Sequence, residues 1–342
     1  MSLDRYVRQI RFAPFGRDGQ ERLSQSRALV VGCGALGSVI ANTLARAGVG
    51  KLRLVDRDFL ELNNLQRQVL YDEDDVQAGL PKAIAAQQRL VKINSEIEIE
   101  AHVADVSPAN IGSLTDDVDV IVDGTDNFET RFLLNDIALS RKIPWVYGGC
   151  LGAEGQSLTI LPGETPCLRC IMPEPPPPGS TPTCDAAGIL GTIINVIGSI
   201  EANEALKILA GKREAISRVW TVIDLWDNAF RQIKLSSFAD RSACPACSGR
   251  EYPWLSGERV SHTAILCGRN AVQLSFPGRG ALDLDQVAAK LAIVGSVTKN
   301  KYLVRGAIEG FLITVFPDGR AVISGTEDIS EAKSLYAKYV GN

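Results

Sequence analysis

The feature that most constrains the fold of this chain is a glycine-rich turn between a short apolar run and a helical stretch. Residues 28–31 are apolar, and Gly32-Cys33-Gly34-Ala35-Leu36-Gly37 follows with the spacing G-x-G-x-x-G. Asp56 lies nineteen residues beyond Gly37. Such glycines let phosphates approach a helix N-terminus, and an acidic residue at this distance can bind a ribose hydroxyl. The pattern predicts a nucleotide site, although an NAD-dependent dehydrogenase would show the same residues.

The first half of the chain alternates apolar runs with helical stretches, which predicts a Rossmann-like, doubly wound α/β sheet that is mostly parallel. The predicted strands cover residues 28–31, 52–56, 97–103, 118–122 and 143–147. The predicted helices cover residues 35–47, 82–93, 131–140 and 192–210. We expect antiparallel strands to extend the sheet after about residue 155, including a hairpin formed by 218–225 and 229–235.

A change of pattern near residue 256 predicts a second, smaller domain. Apolar and polar residues alternate in 271–276, 302–307, 311–316 and 320–324, and residues 284–293 and 329–340 have a helical pattern. We therefore expect an α/β domain at 1–255 and a small C-terminal α+β domain of unknown role at 256–342. The proline-rich residues 167–184 are either a linker or a semi-rigid strap across a binding face.

Composition narrows the classes of protein. The 342 residues carry a formal net charge of −4 and only two histidines, His102 and His262. A mildly acidic chain is a poor candidate for general nucleic-acid binding. No apolar run approaches the ~18 residues of a membrane span, and the N-terminus lacks the apolar region of a signal peptide. We expect a cytoplasmic protein with no nucleic-acid or membrane partner.

Charged residues follow the predicted strands at places where they could converge on a triphosphate. Residues 58–68 form a polar run that contains Asn64 and Arg67, Lys82 begins a helix, and Asp126 follows the strand at 118–122. Ligands of open parallel sheets bind at the carboxyl ends of the strands. Arg67 and Lys82 can neutralise phosphate oxygens, and Asp126 can hold Mg²⁺. Each residue also has an ordinary alternative role: Arg67 in a surface ion pair, Lys82 as a solvated charge on its helix, and Asp126 as a helix N-cap.

Four of the eight cysteines form two C-x-x-C pairs, Cys167/Cys170 and Cys244/Cys247. Four thiolates suit a closed, structural Zn²⁺ site, whereas two separate redox motifs are the alternative reading. Cys184 follows the proline-rich segment and precedes a helical region, where a thiol has a lowered pKa. It is either a nucleophile or a small buried residue. We expect Cys33, Cys150 and Cys267 to be packing residues, and both histidines to be structural.

Five motifs in order resemble the MoeB/ThiF adenylyltransferases, which are related to the core of ubiquitin-activating enzymes. They are residues 5–9 (RYVRQ), 32–37, 64–68 (NLQRQ), 81–82 and 123–127. The resemblance covers about residues 4–250, and the residues after 255 look like the C-terminal extension of some ThiF-type proteins.

This resemblance implies that ATP adenylates the C-terminal Gly-Gly carboxylate of a ubiquitin-like sulfur carrier, similar to ThiS or MoaD, and that pyrophosphate is released. Asp56 would bind the ribose, Asn64, Arg67 and Lys82 the phosphates, and Asp126 Mg²⁺. Arg8 would reach the triphosphate of a partner subunit, which implies a homodimer. In such relatives a cysteine at the position of Cys184 can link covalently to the carrier.

The expected reaction agrees with the scarcity of histidine. An α-carboxyl has a pKa of about 3.3–3.7, so the nucleophile is ionised near neutral pH and needs no general base. The expected pathway is thiamine-thiazole or molybdenum-cofactor synthesis, and the C-terminal extension favours the former. A non-catalytic scaffold that binds nucleotide and carrier is the alternative, followed by an NAD(P)-dependent oxidoreductase.

Overall fold

A computed structural model describes residues 3–177, 187–238, 241–259, 263–266, 270–276 and 282–341 of the chain, and for residues 263–266 it describes the backbone alone. The chain divides into two compact units. One comprises Met1–Thr181 and Ile189–Arg259, and the other comprises Pro182–Gly188 and Val260–Asn342.

The first unit contains an eight-stranded sheet in the order β3-β2-β1-β4-β5-β6-β7-β8. The first five strands in that order are parallel and the last three are added antiparallel, as the sequence predicts. The strands are β1 Arg27–Val31, β2 Lys51–Asp56, β3 Glu98–Val103, β4 Val120–Asp123, β5 Trp145–Leu151, β6 Glu154–Ile160, β7 Val219–Asp224 and β8 Ala229–Lys234.

Helices cover both faces of this sheet. They are α1 Val7–Ile10, α2 Gly16–Leu23, α3 Ala35–Ala47, α4 Glu73–Gln77, α5 Lys82–Ile93, α6 Ile111–Leu114, α7 Phe128–Arg141, α8 Leu168–Ile171 and α9 Gly191–Leu209. Short 3-10 helices lie at Leu3–Tyr6, Leu62–Asn64, Arg213–Ala215 and Leu235–Phe238. None of the helices in the described part of the chain has both the length and the apolar character needed to cross a membrane.

The parallel strands form the centre of the core. Val30 of β1 is aligned with Leu54 of β2 on one side and with Val122 of β4 on the other, and all three side chains are fully buried. Burial of each such side chain stabilises the fold by about 1.5–3 kcal/mol. One core cluster packs under α3, α5 and α9, and a second lies on the opposite face under α6 and α7. The sheet is therefore doubly wound.

The second unit contains an antiparallel sheet in the order β11-β12-β13-β14-β10-β9. Its strands are β9 Thr263–Leu266, β10 Ala271–Leu274, β11 Ser296–Lys299, β12 Val304–Ile308, β13 Phe311–Val315 and β14 Ala321–Ser324. The helices α10 Leu284–Ala292 and α11 Ile329–Tyr339 pack their apolar residues, among them Leu291 and Tyr336, into the core of this unit. The α+β character agrees with the sequence prediction.

Candidate functional site

The glycine-rich turn lies at the carboxyl edge of the parallel sheet, between the ends of β1, β2 and β4. The amide of Gly32 donates to the carbonyl of Val55 at 2.7 Å, and the amide of Gly124 donates to the carbonyl of Val31 at 2.7 Å. The two loops touch, because a Cβ added to Gly124 would lie 2.5 Å from the carbonyl oxygen of Gly32. The turns that follow β1 and β4 are therefore packed into one surface at the N-terminus of α3.

Asp56 is the last residue of β2 and lies at the edge of this surface, next to the glycine-rich turn. Its carboxylate accepts the amide of Cys33 at 2.6 Å with one oxygen and the amide of Asp58 at 2.6 Å with the other. A carboxylate has about four acceptor positions, so it can still accept ribose hydroxyls. Burial raises the pKa of Asp56, and the nearby Lys82 ammonium partly offsets that effect.

Lys82 begins α5 and is 4% exposed, so the lysine is not a solvated helix charge. Its ammonium lies 3.2 Å from the carboxylate of Asp58. On the other side of Asp58, Arg57 forms two hydrogen bonds with Asp105 at 3.0 and 3.1 Å. Burial lowers the pKa of Arg57, but the charges of Asp105, Asp58 and Asp126 outweigh it and raise that pKa. Cations and carboxylates thus alternate along this wall.

The polar run contributes two buried amides and one half-buried arginine. Asn64 is buried, accepts the amide of Glu61 at 3.1 Å and donates to the side chain of Asn63 at 2.8 Å, so both ends of its amide hold the local turn. Arg67 donates to the carbonyl of Asn63 at 2.9 Å. Gln68 is buried with its amide nitrogen on the open side of Gly34. The run therefore forms a wall beside the glycine-rich turn.

Asp126 lies in the turn after β4 and is exposed. Among the described residues, no hydrogen bond to its carboxylate is found. The alternative role of Asp126 as a helix N-cap is wrong, because the N-cap of α7 is Asn127, whose side chain accepts the amide of Thr130 at 2.7 Å. The same turn is held by Asp123, which accepts the amide and the hydroxyl of Thr125 at 2.8 and 2.7 Å. An exposed carboxylate on a fixed turn suits a magnesium ligand.

Arg131 and Glu201 are buried charged residues beside this turn that the sequence interpretation did not identify. Arg131 donates to the carbonyls of Thr125 and Gly148 at 2.7 and 3.1 Å. Both carboxylate oxygens of Glu201 lack a hydrogen-bond partner in the described part of the chain. Burial raises the pKa of Glu201 well above its usual value, which favours the neutral acid. Their signal in the sequence is a charged residue within an apolar helical run.

The four cysteines predicted as ligands come together. The Sγ atom of Cys167 lies 3.8 Å from that of Cys170 and 3.7 Å from that of Cys244. The Sγ atom of Cys170 lies 3.6 Å from that of Cys247. A tetrahedral zinc with Zn–S bonds of about 2.3 Å requires S–S distances of about 3.8 Å. Hydrogen bonds from Cys167 and Cys170 lower the pKa of Cys247. The four thiols therefore form one cluster and do not lie at two separate places in the fold.

Arg8 is exposed on α1, and α1 lies far from the glycine-rich turn of its own chain. Gln9 donates to the carbonyl of Ala47 at 3.0 Å, and Tyr6 packs against Gly48. Ala47 is the last residue of the thirteen-residue helix α3, whose first turn faces the candidate nucleotide site. A helix of that length spans about 20 Å. Arg8 and the glycine-rich turn therefore lie at opposite ends of α3.

The remaining predicted residues divide between the described and undescribed parts of the chain. Cys33 is buried, and burial raises the pKa of its thiol, while Cys150 is half-buried. His102 lies on β3, where it is aligned with Val55 of β2; its side chain is partly buried, and burial lowers its pKa. Cys184, Cys267 and His262 lie outside the described residues.

Comparison with known proteins gives one family match and several whole-domain relatives. Residues 6–246 match the ThiF family. The chain is 43% identical over 338 residues to the sulfur carrier protein ThiS adenylyltransferase of Bacillus subtilis, covering 98% of this chain and 99% of that protein. It is 41% identical over 245 residues to the SAMP-activating enzyme E1 of Haloferax volcanii, covering 72% of this chain and 88% of that enzyme.

The fold also has solved counterparts. The crystal structure of E. coli MccB with succinimide superposes with a TM-score of 0.60 at 21% sequence identity, covering 68% of this chain and 72% of that one. At this level of identity the likeness concerns the fold alone.

Proposed function

The chain belongs to the ThiF family, and we propose that it adenylates the C-terminal carboxylate of a small ubiquitin-like sulfur-carrier protein with ATP and releases pyrophosphate. The observation that supports this proposal best is the wall of Asp56, Lys82 and the glycine-rich turn beside the exposed Asp126. The Bacillus subtilis relative, named as an adenylyltransferase of ThiS, matches across nearly its whole length.

In this proposal each group of residues in the site binds a different part of ATP. Gly34 lets the phosphates approach the N-terminus of α3, whose amides and dipole favour anions, and Gly32 forms the tight turn that packs against Gly124. Asp56 accepts the ribose hydroxyls. Arg67 and Lys82 neutralise charge that moves onto pyrophosphate as it leaves, which is the main electrostatic demand of the reaction. Asn64 lies in the polar run with Arg67, and its side-chain hydrogen bonds hold the turn that carries Arg67.

The attacking group needs no base from the enzyme. The carrier carboxylate has a pKa of about 3.3–3.7 and is ionised near neutral pH, so the chain must orient it in line with the α-phosphate. His102 is the one histidine in the described part of the chain; it lies on β3 beside the charges of Glu100 and Arg53 and not on one of the loops that form the site.

Magnesium fits the exposed carboxylate of Asp126, because hard oxygen ligands beside substrate phosphates are what Mg²⁺ binds. When bound, the ion would neutralise phosphate charge and polarise the α-phosphate. Zinc fits the four thiols of Cys167, Cys170, Cys244 and Cys247 at their observed spacing. With all four positions filled by protein, that ion would have a structural role.

A homodimer explains the position of Arg8. Because α1 is fastened at the far end of α3, Arg8 can serve a triphosphate only if the site belongs to a second copy of the chain. We propose that the active species is a dimer in which Arg8 acts across the interface.

We propose that the carrier resembles ThiS rather than MoaD, which places the reaction in thiamine-thiazole synthesis. The support is the match to the ThiS adenylyltransferase over 99% of that protein's length, which includes the second unit. For Cys184 we propose a covalent link to the carrier as an acyl disulfide: a persulfide formed on Cys184 by an external persulfide sulfur donor attacks the acyl adenylate and displaces AMP. With that donor present, a reducible carrier adduct seen by mass spectrometry, and lost in Cys184→Ala, is the expected result; no adduct in either protein would remove this role.

The decisive experiment is isotope exchange between pyrophosphate and ATP with purified carriers of each type. We expect exchange only in the presence of a carrier ending in Gly-Gly, with the ThiS-like carrier preferred. Nucleotide binding without exchange for any carrier would instead support a docking scaffold. Binding of NAD(P) in place of ATP would support an oxidoreductase.

A further inference from the structure

Asp58, the second residue after the predicted ribose ligand, is joined to the candidate site on three sides. Its amide donates to the carboxylate of Asp56 at 2.6 Å. Its carbonyl accepts the backbone amide of Lys82 at 2.9 Å. Its carboxylate lies 3.2 Å from the ammonium of Lys82. One residue thus holds both the backbone and the side chain of the lysine that begins α5.

The loop around Asp58 is itself fastened to the start of that helix. Phe59 and Pro81 form an isolated antiparallel bridge, and the amide of Leu60 donates to the carbonyl of Leu80 at 3.3 Å. Residues 58–60 therefore run beside residues 80–82. This pairing brings together Asp58 and Lys82, which are twenty-four residues apart in the sequence.

A second cation faces the Asp58 carboxylate from the other side. The Nε atom of Arg57 lies 3.9 Å from it, while the same guanidinium is held by Asp105 at 3.0 Å. The Lys82 side chain is 5% exposed, compared with 32% for Asp58. The carboxylate thus lies between two cations, and it is the partner of the more deeply buried one.

A buried lysine needs such a partner. An ammonium removed from water without compensation is costly, and a free lysine side chain loses about 2 kcal/mol of rotamer entropy when it is ordered. An ammonium has three N–H donors, so one can stay on a carboxylate while the others bind phosphate oxygens. A lysine already held in place loses less entropy when the ligand binds.

We propose that Asp58 is a positioning residue that holds the Lys82 ammonium where the phosphates of ATP bind, and that it affects the nucleotide only through Lys82. This inference rests on the proposed function, because it requires ATP at this edge of the sheet.

The test is a double-mutant cycle on the full-length protein, with ATP and adenosine binding measured by titration calorimetry. Asp58→Asn keeps the size of the side chain and removes its charge. We expect it to weaken ATP binding about tenfold, which corresponds to about 1.4 kcal/mol, and to leave adenosine binding unchanged. In the Lys82→Met background the same substitution should not weaken ATP binding any further.

Three results would overturn the positioning role. The first is an equal loss of ATP affinity in the Lys82→Met background, and the second is a parallel loss of adenosine affinity, since both indicate a general effect on the loop. The third is tighter ATP binding by Asp58→Asn alone, which would mean that the carboxylate competes with the phosphates for the ammonium.

Glu100→Gln is the matched control. Glu100 lies on β3 and pairs with two cations of β2 outside the site, Lys51 at 2.5 Å and Arg53 at 2.7 Å. We expect its ATP affinity to equal that of the wild type.

Failure of the proposed function and failure of the positioning role give different results. A folded wild type that does not bind ATP defeats the proposed function, whereas ATP binding without coupling between Asp58 and Lys82 defeats the positioning role alone.

Discussion

Gly37 packs against the backbone of Gly32 so closely that a Cβ on Gly37 would lie 1.8 Å from the Gly32 carbonyl oxygen. By contrast, a Cβ on Gly34 would meet only the amide nitrogen of Gln68, at 3.9 Å. The two glycines of one motif therefore have different roles. Gly37 allows the helix to approach the strand, and Gly34 leaves room for a ligand.

Alanine substitutions should separate these roles. We expect Gly37→Ala to lower the free energy of unfolding by about 3 kcal/mol, since the backbone must shift to admit the methyl group. Gly34→Ala should change stability by less than about 1 kcal/mol but weaken ATP binding at least tenfold, about 1.4 kcal/mol. Urea unfolding and calorimetry test both. Equal ATP affinity in Gly34→Ala and the wild type would contradict the placement of phosphate at Gly34.

Removal of the charges proposed to act on the triphosphate should abolish turnover without unfolding the chain. We expect Arg67→Ala and Asp126→Ala to reduce carrier-dependent exchange by about 10²–10³-fold, because the first removes a cation that stabilises the departing pyrophosphate and the second removes the proposed ligand of Mg²⁺. Both residues are at least partly exposed, so their circular dichroism should match the wild type. Arg46→Ala, on the exposed surface of α3, is the control. Near-normal exchange in either variant would remove that residue from the site.

The thiol cluster should contain one zinc per chain after purification without chelators. Cys244→Ser is expected to lower the zinc content and the free energy of unfolding, since metal binding stabilises the folded state. Cys150→Ser, which changes a half-buried thiol outside the cluster, should retain zinc. Elemental analysis checks both variants. Absence of zinc in the wild type would contradict the ligand assignment.

Asp136 should make stability depend on pH. Burial raises the pKa of its carboxyl to about 6, although it accepts amides from Trp254 and Leu255. The unfolded chain has a pKa of about 3.9, so between these values the folded state keeps a proton that the unfolded state has lost. The contribution of this group to the free energy of unfolding therefore falls as pH rises from about 4 to 6.

Asp136→Asn removes that titration. The stability of the variant relative to the wild type should increase by about 1–2 kcal/mol between about pH 4 and pH 7, and then level off. Urea unfolding across this range measures the difference. A difference that stays constant with pH would show that the Asp136 pKa is not raised.

Arg8 should act in the site of its partner. Arg8→Ala and Asp126→Ala homodimers are each expected to be inactive. Mixing the two after subunit exchange should restore activity, because one site of the mixed dimer has an intact Asp126 and receives an intact Arg8 from the other copy. No recovery, despite mixed dimers detected by native mass spectrometry, would exclude action across the interface.

Local sequence signals predict much of the first unit. Helices α3 and α5 have the bounds that the sequence predicts, because each has regular apolar spacing, α3 ends at Gly48 and α5 begins after Pro81. Helix α7 begins at Phe128 rather than Arg131, because Asn127 caps it. The residues that form one site lie far apart in the chain, and their convergence follows from the parallel topology.

The contacts between those residues were less accessible to sequence reasoning. The pairing of Asp58 with Lys82 depends on the bridge between Phe59 and Pro81, which is a tertiary contact with no periodic signal. Arg131 and Glu201 interrupt apolar helical runs, yet the sequence does not say which strand each one faces. Motifs therefore identified candidate ligands, whereas the residues that hold them required the structure.

The most direct test of the proposed activity is the mass of the carrier after incubation with this protein, ATP and Mg²⁺. We predict a carrier that gains one adenylate group at its C-terminus, with pyrophosphate released, and no gain for a carrier that lacks its last glycine. An unmodified carrier that ends in Gly-Gly, in the presence of folded protein that binds both ATP and the carrier, would contradict the account.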